Sequence, residues 1–425
     1  MPQQVFVGID LGTSGVRANA IDAGGQLLGE SRAALPPSCG DLPGRREQDP
    51  VDWWRATLQC IDALPQDLRR QMCAICVDGT SGTLLATDAA GEPLSAGLMY
   101  NDQRAAAQAQ SLAQIAPPDA AVHSPGAAIA KLLWLEQHGV HAAHALHQAD
   151  WIAFRLGAPL GISDENNCLK LGYDPVSRRW PDWLQKLPIP FAALPEVVPV
   201  GETTGRLSVD LRERWDCQGP VELIAGTTDS NAATLATGID AVGDAATALG
   251  STLVLKVLSD KPVFAPAYGI YSHRVGGRWL VGGASNSGGA VLRRFFSDRQ
   301  LVELSARIDP SSDSGLDYYP LPEPGERFPL NDPALAPRLE PRPADDARFL
   351  HGLFEGMARI EQLGYRRLQE LGAPFPNRVK TTGGGAVNQT WRKLRERILG
   401  VPVEAAAHSE AAYGAALIAA GKVAW

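Results

Sequence analysis

No stretch of this chain approaches the ~18 consecutive apolar residues that a membrane-spanning helix needs, so no span is expected. Basic charge is not in excess either. The 39 Lys and Arg residues stand against 47 Asp and Glu, for a net charge of −8, which argues against non-specific binding to nucleic acid or anionic membrane. Cysteine is scarce: Cys39, Cys60, Cys73, Cys76, Cys168 and Cys217 form no framework of the kind that staples a secreted domain. Cys73 and Cys76 have C-x-x-C spacing, but they fall in and beside an expected strand over 74–77. Residues three apart on a strand face opposite sides, so core thiols are the better reading than a metal or redox pair. The Walker loop G-x-x-x-x-G-K-[ST] is absent. The N-terminus enters a strand within a few residues, which leaves no room for a signal or transit peptide and places the expected protein in the cytoplasm.

What is present is an ordinary globular composition, 45% hydrophobic and 20% charged, over 425 residues. That length exceeds one compact core, and two domains are expected. The most informative stretch lies near the start. Two β-type runs, Val5–Ile9 and Val16–Ile21, flank a turn containing Asp10, Gly12, Thr13, Ser14 and Gly15. A turn rich in glycine and hydroxyls lets backbone N–H groups approach a phosphate closely. Asp10, at the strand end, would repel that phosphate unless a divalent cation sat between them. A Mg-nucleotide loop and a plain β-hairpin both fit this stretch taken alone.

Further along, Asp49 and Pro50 give the start signals of a helix whose apolar face reads Val51, Trp54, Leu58 and Ile61. A buried strand then ends in Asp78-Gly-Thr-Ser81-Gly-Thr. Strand, helix and strand in this order imply a parallel pair with a right-handed crossover, and small-molecule sites gather at the C-terminal ends of such strands. The region 101–151 reads as mostly helical. Its run His138, His141, His144 and His147 has no interleaved carboxylate, so a partly exposed helix face or loop fits better than a metal cluster. A strand over 221–225 leads into Gly226-Thr-Thr-Asp229 and a small-residue helix. Asp229 reads equally as a helix cap or as a carboxylate placed at a strand end for chemistry.

The second half repeats the opening pattern. Strands over 245–249 and 253–258 flank Gly250-Ser251-Thr252, and a further antiparallel pair is expected over 270–274 and 279–282. A long helix, a strand over 379–382 and the turn Gly383-Gly384-Gly385 follow, with Asn388 opening another helix. Gly288 and Gly289 read as a hinge or as a close helix–strand contact. Two such half-folds, each with a phosphate-type turn, favour the Mg-nucleotide reading, with the polyphosphate held between the two turns.

These residues resemble the FGGY carbohydrate kinases, in the actin, sugar-kinase and heat-shock ATPase superfamily. The resemblance spans essentially the whole chain. It rests on Gly8-Ile-Asp10-Leu-Gly-Thr13-Ser14, Tyr100-Asn-Asp102-Gln-Arg104, Lys131-Leu-Leu-Trp134-Leu and Gly226-Thr-Thr-Asp229. Leu249-Gly250-Ser251-Thr252, the segment Tyr319 to Pro329 and Thr382-Gly-Gly-Gly385-Ala-Val-Asn388 extend it. Within the family the chain is most similar to the short D-ribulose kinases of cyanobacteria and plants. That closer match rests on Asp78 to Thr83, Asn167 to Tyr173, Gly282 to Asn286 and Gly315 to Pro320.

The resemblance implies two ribonuclease-H-like α/β domains flanking a catalytic cleft. One would span 1–236, completed by a C-terminal helix over 410–425, and would hold sugar and catalytic base. The other, 237–409, would hold adenosine. It implies Asp229 as general base toward the sugar hydroxyl and Asp10 as the Mg²⁺ carboxylate. It also implies contact of Asp10, Ser81 and Asp229 with the sugar. Thr13, Ser14, Gly250, Ser251 and Thr252 would meet the ATP phosphates, and Gly384, Gly385 and Asn388 the adenosine. The expected reaction is transfer of the γ-phosphate of Mg-ATP to D-ribulose. Transfer to D-xylulose or another ketose or polyol, and a non-catalytic sensor on the same fold, are the alternatives.

Overall fold

The computed structural model describes residues 4–40 and 42–423. The chain divides into two compact units, one of Met1–Ala236, Arg274–Gly277 and Glu410–Trp425, the other of Thr237–His273 and Arg278–Ser409. Among the described residues, no helix is long and apolar enough to cross a membrane.

The first unit is built on a six-stranded sheet in the order Thr203–Arg206, Glu222–Ile224, Met72–Gly79, Val5–Leu11, Gly15–Asp22, Leu27–Ala34. The last three form an antiparallel meander, and Met72–Gly79 and Glu222–Ile224 then add in parallel. Every residue of Val5–Leu11 except Phe6 is buried, as expected of a central strand covered on both faces. The helix Pro50–Asp62 starts where expected, with the Asp49 carboxylate accepting from the Val51 N–H. Its buried face differs from the expected one. Trp53, Ala56, Cys60 and Ile61 point inward, whereas Val51 is exposed and Trp54 and Leu58 are only partly covered. The stripe is rotated because Trp53 is drawn inward, its indole N–H donating to the Gln48 side chain.

A smaller sheet in the same unit has the order Glu47–Gln48, Gly97–Leu98, Leu84–Thr87, His144–His147. This corrects the reading of the histidine run as a helix face or loop: its last four residues form a strand antiparallel to Leu84–Thr87. Three of the four rings have separate partners. His138 stacks on Trp134, His141 bonds Glu136, and buried His147 bonds Asp150. Among the described residues, no group of three or more His, Cys, Asp or Glu is placed to hold a metal. Cys73 is half-buried and Cys76 buried, and both are free thiols.

In the second unit five strands of one sheet run in the order Arg278–Ser285, Leu253–Ser259, Asp244–Leu249, Arg378–Thr382, Val403–Ala405. Arg278–Ser285, Leu253–Ser259 and Asp244–Leu249 form an antiparallel meander, and Arg378–Thr382 and Val403–Ala405 add in parallel, as in the first unit. The expected pair over 270–274 and 279–282 lies at His273–Val275 and Arg278–Ser285. The helix Asp346–Glu370 covers the sheet with Phe349, Leu353, Phe354, Met357 and Ile360 in the core. Gly288 and Gly289 are contact glycines, not free swivels. A Cβ at either would come within 2.7 Å of a carbonyl oxygen of Ser251 or Gly250.

Candidate active site

In the first unit the candidate side chains sit at the ends of adjacent parallel strands. Asp10 on Val5–Leu11 is registered directly opposite Asp78 on Met72–Gly79. Registered partners in a parallel pair face the same side, so the two carboxylates lie together. Asp78 is fully buried, and neither of its oxygens has a hydrogen-bond donor among the described residues. Burial, reinforced by the charges of Asp10 and Asp229, holds Asp78 well above the ordinary carboxylate range. Burial raises Asp10 as well, opposed by hydrogen bonding with Asp78 and by the Arg17 guanidinium, which lies 3.0 Å from Asp10 Oδ2. With no cation between them, two acceptors side by side are reconciled by sharing one proton.

One bridge further out, Gly79 pairs in parallel with Thr228. This sets the turn Thr80–Thr83 beside the start of the helix Asp229–Leu235. Thr228 is the N-cap residue and Asp229 the first helical residue, half-buried, with its Oδ1 accepting from the Ser230 N–H at 2.6 Å. The loop before it is pinned at Thr227, whose hydroxyl receives the side-chain amides of Asn166 and Asn231. Gly226 admits no side chain, because a Cβ there would come 1.9 Å from the Val77 carbonyl oxygen.

Lys170 holds Ser81 itself and Lys131 the residue after it. Lys170 Nζ donates to the Ser81 carbonyl at 2.9 Å, and Lys131 Nζ donates to those of Gly82, Met99 and Gly126. Burial pushes the Lys131 ammonium down to about 7. The motif residues Asp102 and Arg104 form a bidentate pair, and the Asp102 carboxylate also takes the Arg46 N–H. The structure therefore brings together Asp10, Ser81 and Asp229. It adds Asp78 as a partner of Asp10, Arg17 opposite Asp10 in the opening hairpin, and Lys170, whose reach across the fold the sequence spacing does not disclose.

The first phosphate-type turn is closed by a Gly12 N–H bond to the Gly15 carbonyl, with Thr13 half-buried and Ser14 exposed. In the second unit, Gly250, Ser251 and Thr252 close their own turn through Gly250 N–H to Thr252 O. Arg293 Nη2 donates to the Ser251 hydroxyl at 2.8 Å. Gly250 and Ser251 border a cavity of about 760 Å³, also lined by Gly384, Gly385, Asn388, Phe354 and Trp391. Thr252 does not line it. The volume suits a nucleoside.

Asn388 is already committed to structure. Its Oδ1 caps the helix Gln389–Leu399 through the Trp391 N–H, and its Nδ2 donates to Ser305. Gly385 is required by packing, since a Cβ would meet the Trp391 ring at 2.6 Å, whereas a Cβ on Gly384 meets nothing within 4 Å. Gly384→Ala is therefore expected to leave thermal unfolding unchanged. If nucleotide lies against this turn, the variant raises the KM for ATP severalfold and leaves that for the acceptor alone; initial-rate kinetics separate the two.

The carboxylate pair fits a hydrated divalent cation better than a caged one. Asp10 and Asp78 supply hard oxygen ligands, but no third metal-binding side chain accompanies them among the described residues. Such a pair suits Mg²⁺ arriving on nucleotide phosphates, where it keeps several waters.

The N-terminal domain of the FGGY family of carbohydrate kinases matches residues 5–236, and the C-terminal domain of that family matches residues 245–423. The chain belongs to the FGGY family of carbohydrate kinases. A xylulose kinase of Escherichia coli is 24% identical over 422 residues, covering 93% of this chain and 85% of its own length. A glycerol kinase of Alkalilimnicola ehrlichii is 26% identical, over 99% and 90% respectively. The crystal structure described as a xyloylose kinase from Brucella ovis superposes with a TM-score of 0.86 at 26% identity, covering 98% of this chain and 90% of that one. The expected two-domain α/β sugar-kinase fold is thus found.

Proposed function

We propose that this carbohydrate kinase transfers the γ-phosphoryl group of Mg-ATP to a hydroxyl of a pentulose, with D-ribulose as its acceptor. The observation that carries the reading is the convergence of Asp10, Ser81 and Asp229 at neighbouring strand ends in the first unit. A carboxylate at the acceptor hydroxyl is what such a transfer requires. The hydroxyl oxygen forms a bond to the γ-phosphorus, the bond to the bridging oxygen breaks, ADP leaves, and the hydroxyl proton passes to Asp229. Asp10, with Asp78 beside it, would hold Mg²⁺, which when bound neutralises phosphate charge. The turns at Thr13–Ser14 and Gly250–Thr252 offer hydroxyls and N–H groups to phosphate oxygens, and the cavity beside Gly384 takes the adenosine.

D-Ribulose is favoured by the Asp78–Thr83 turn and the Asn167–Tyr173 segment. D-Xylulose is the second reading, supported by the names of several relatives. The test is ADP release with Mg-ATP against D-ribulose, L-ribulose, D-xylulose, glycerol and no sugar. Turnover on D-ribulose well above the rest is the expected result. Preference for D-xylulose would replace the acceptor and keep the mechanism, and ATP binding without turnover on any sugar would favour a sensor.

A further inference from the structure

The polar groups at the strand ends of the first unit are mostly acceptors. Asp10 and Asp229 present carboxylate oxygens, and a polyhydroxy acceptor can satisfy them by donating from its hydroxyls. A carbonyl oxygen cannot donate; it has to meet an N–H or O–H. The nearby cations differ in what they have left to give. Arg17 is engaged by Asp10 and Glu410, and all three N–H groups of Lys131 are directed at carbonyls. Lys170 is different. Among the described residues its one hydrogen bond is to the Ser81 carbonyl, which leaves two N–H groups.

Its place in the fold is well determined. Lys170 lies in the short helical segment Asn167–Leu171, anchored where Asp164 accepts from the Asn166 and Asn167 N–H groups. Its side chain crosses the turn so closely that a Cβ on Gly82 would come 2.8 Å from Lys170 Cδ and 3.3 Å from Nζ. Burial lowers the Lys170 pKa, and the charge of Asp229 opposes that shift, so the nitrogen lies within the electrostatic reach of Asp229. The nitrogen therefore stands at the Ser81 turn, within reach of the Asp229 charge.

We propose that Lys170 is a specificity-determining residue: it donates to the carbonyl oxygen of a ketose acceptor and so selects ketoses over the corresponding polyols. This rests on the pentulose-kinase reading. The carboxylates hold the acceptor's hydroxyls and Lys170 takes the one oxygen that cannot donate. A polyol, with a hydroxyl in that place, gains less from the ammonium.

The test compares kcat/KM for D-ribulose with that for ribitol, and D-xylulose with xylitol, in the wild-type chain and in Lys170→Met, at saturating Mg-ATP. Lys170→Gln is the second variant, since its amide can still donate to Ser81 if the methionine chain fails to fold. The wild-type chain is expected to prefer the ketose. In Lys170→Met the ketose value should fall about ten- to hundred-fold, the polyol value severalfold at most, and the ATP Kd should not change. An equal fall on ketose and polyol would show that Lys170 only pins the Ser81 turn and would overturn the proposal, as would wild-type preference for the polyol. Absence of wild-type turnover on every sugar would instead sink the underlying kinase reading, and this selection with it.

Discussion

Asparagine in place of Asp229 is expected to lower kcat by about 10²–10⁴-fold while the Kd for ATP stays within about twofold. The variant keeps the shape of the side chain and an oxygen that can accept from the Ser230 N–H, so the start of the helix Asp229–Leu235 should hold. The loop before it is fixed independently, by Asn166 and Asn231 on the Thr227 hydroxyl. What the amide cannot do is take the proton of the attacking hydroxyl. The cavity proposed for the nucleotide has a separate lining that includes Gly384, Asn388 and Trp391, so ATP affinity has no reason to follow kcat. Steady-state kinetics with calorimetric titration of ATP checks both halves. A kcat within fivefold of wild type would mean that the proton goes elsewhere. Loss of ATP binding in proportion to activity would make Asp229 a nucleotide ligand and not a base.

The parts of the molecule legible in the sequence are those encoded over short distances. The meander Val5–Leu11, Gly15–Asp22, Leu27–Ala34 is three runs separated by glycine-rich turns, and the Asp49–Pro50 start is written in adjacent residues. The duplicated order of the two sheets followed from repetition of that pattern. Register between distant strands is not encoded in this way. That Asp10 faces Asp78, or that Lys170 reaches a carbonyl 89 residues earlier, depends on tertiary pairing that no local spacing announces. The histidine run misled for the same reason: Ala145 and Leu146 fit a helix or a strand, and pairing with Leu84–Thr87 decided between them. The helix Pro50–Asp62 carries apolar residues on neighbouring stripes, and the contact of Trp53 with Gln48 chose which one turned inward.

Gly414→Ala is expected to unfold the first unit at a markedly lower temperature, with a fall of roughly 6–12 °C for an overpacking cost of about 3 kcal/mol. Six of the nine residues of the helix Ala411–Ala419 are Ala or Gly, which lets it pack closely on two sides. A Cβ on Gly414 would lie 1.9 Å from the Ala232 carbonyl oxygen, and one on Gly8 of the opening strand would lie 2.0 Å from the Ala412 carbonyl oxygen. Both obstacles are backbone atoms, which no rotamer change can move aside. The added methyl has to push the closing helix away from Asp229–Leu235, and that shorter helix begins with the proposed base. Acceptor turnover should therefore fall more than stability alone explains at a temperature where the variant is still folded, while ATP affinity is unchanged. Gly219→Ala is the control, because a Cβ there meets nothing within 4 Å. Thermal unfolding and kinetics of both variants, measured side by side, decide the point. An unshifted transition in Gly414→Ala would mean that the closing helix is not held against Ala232 this closely. A lowered transition with full acceptor turnover would mean that the position of Asp229 does not depend on it.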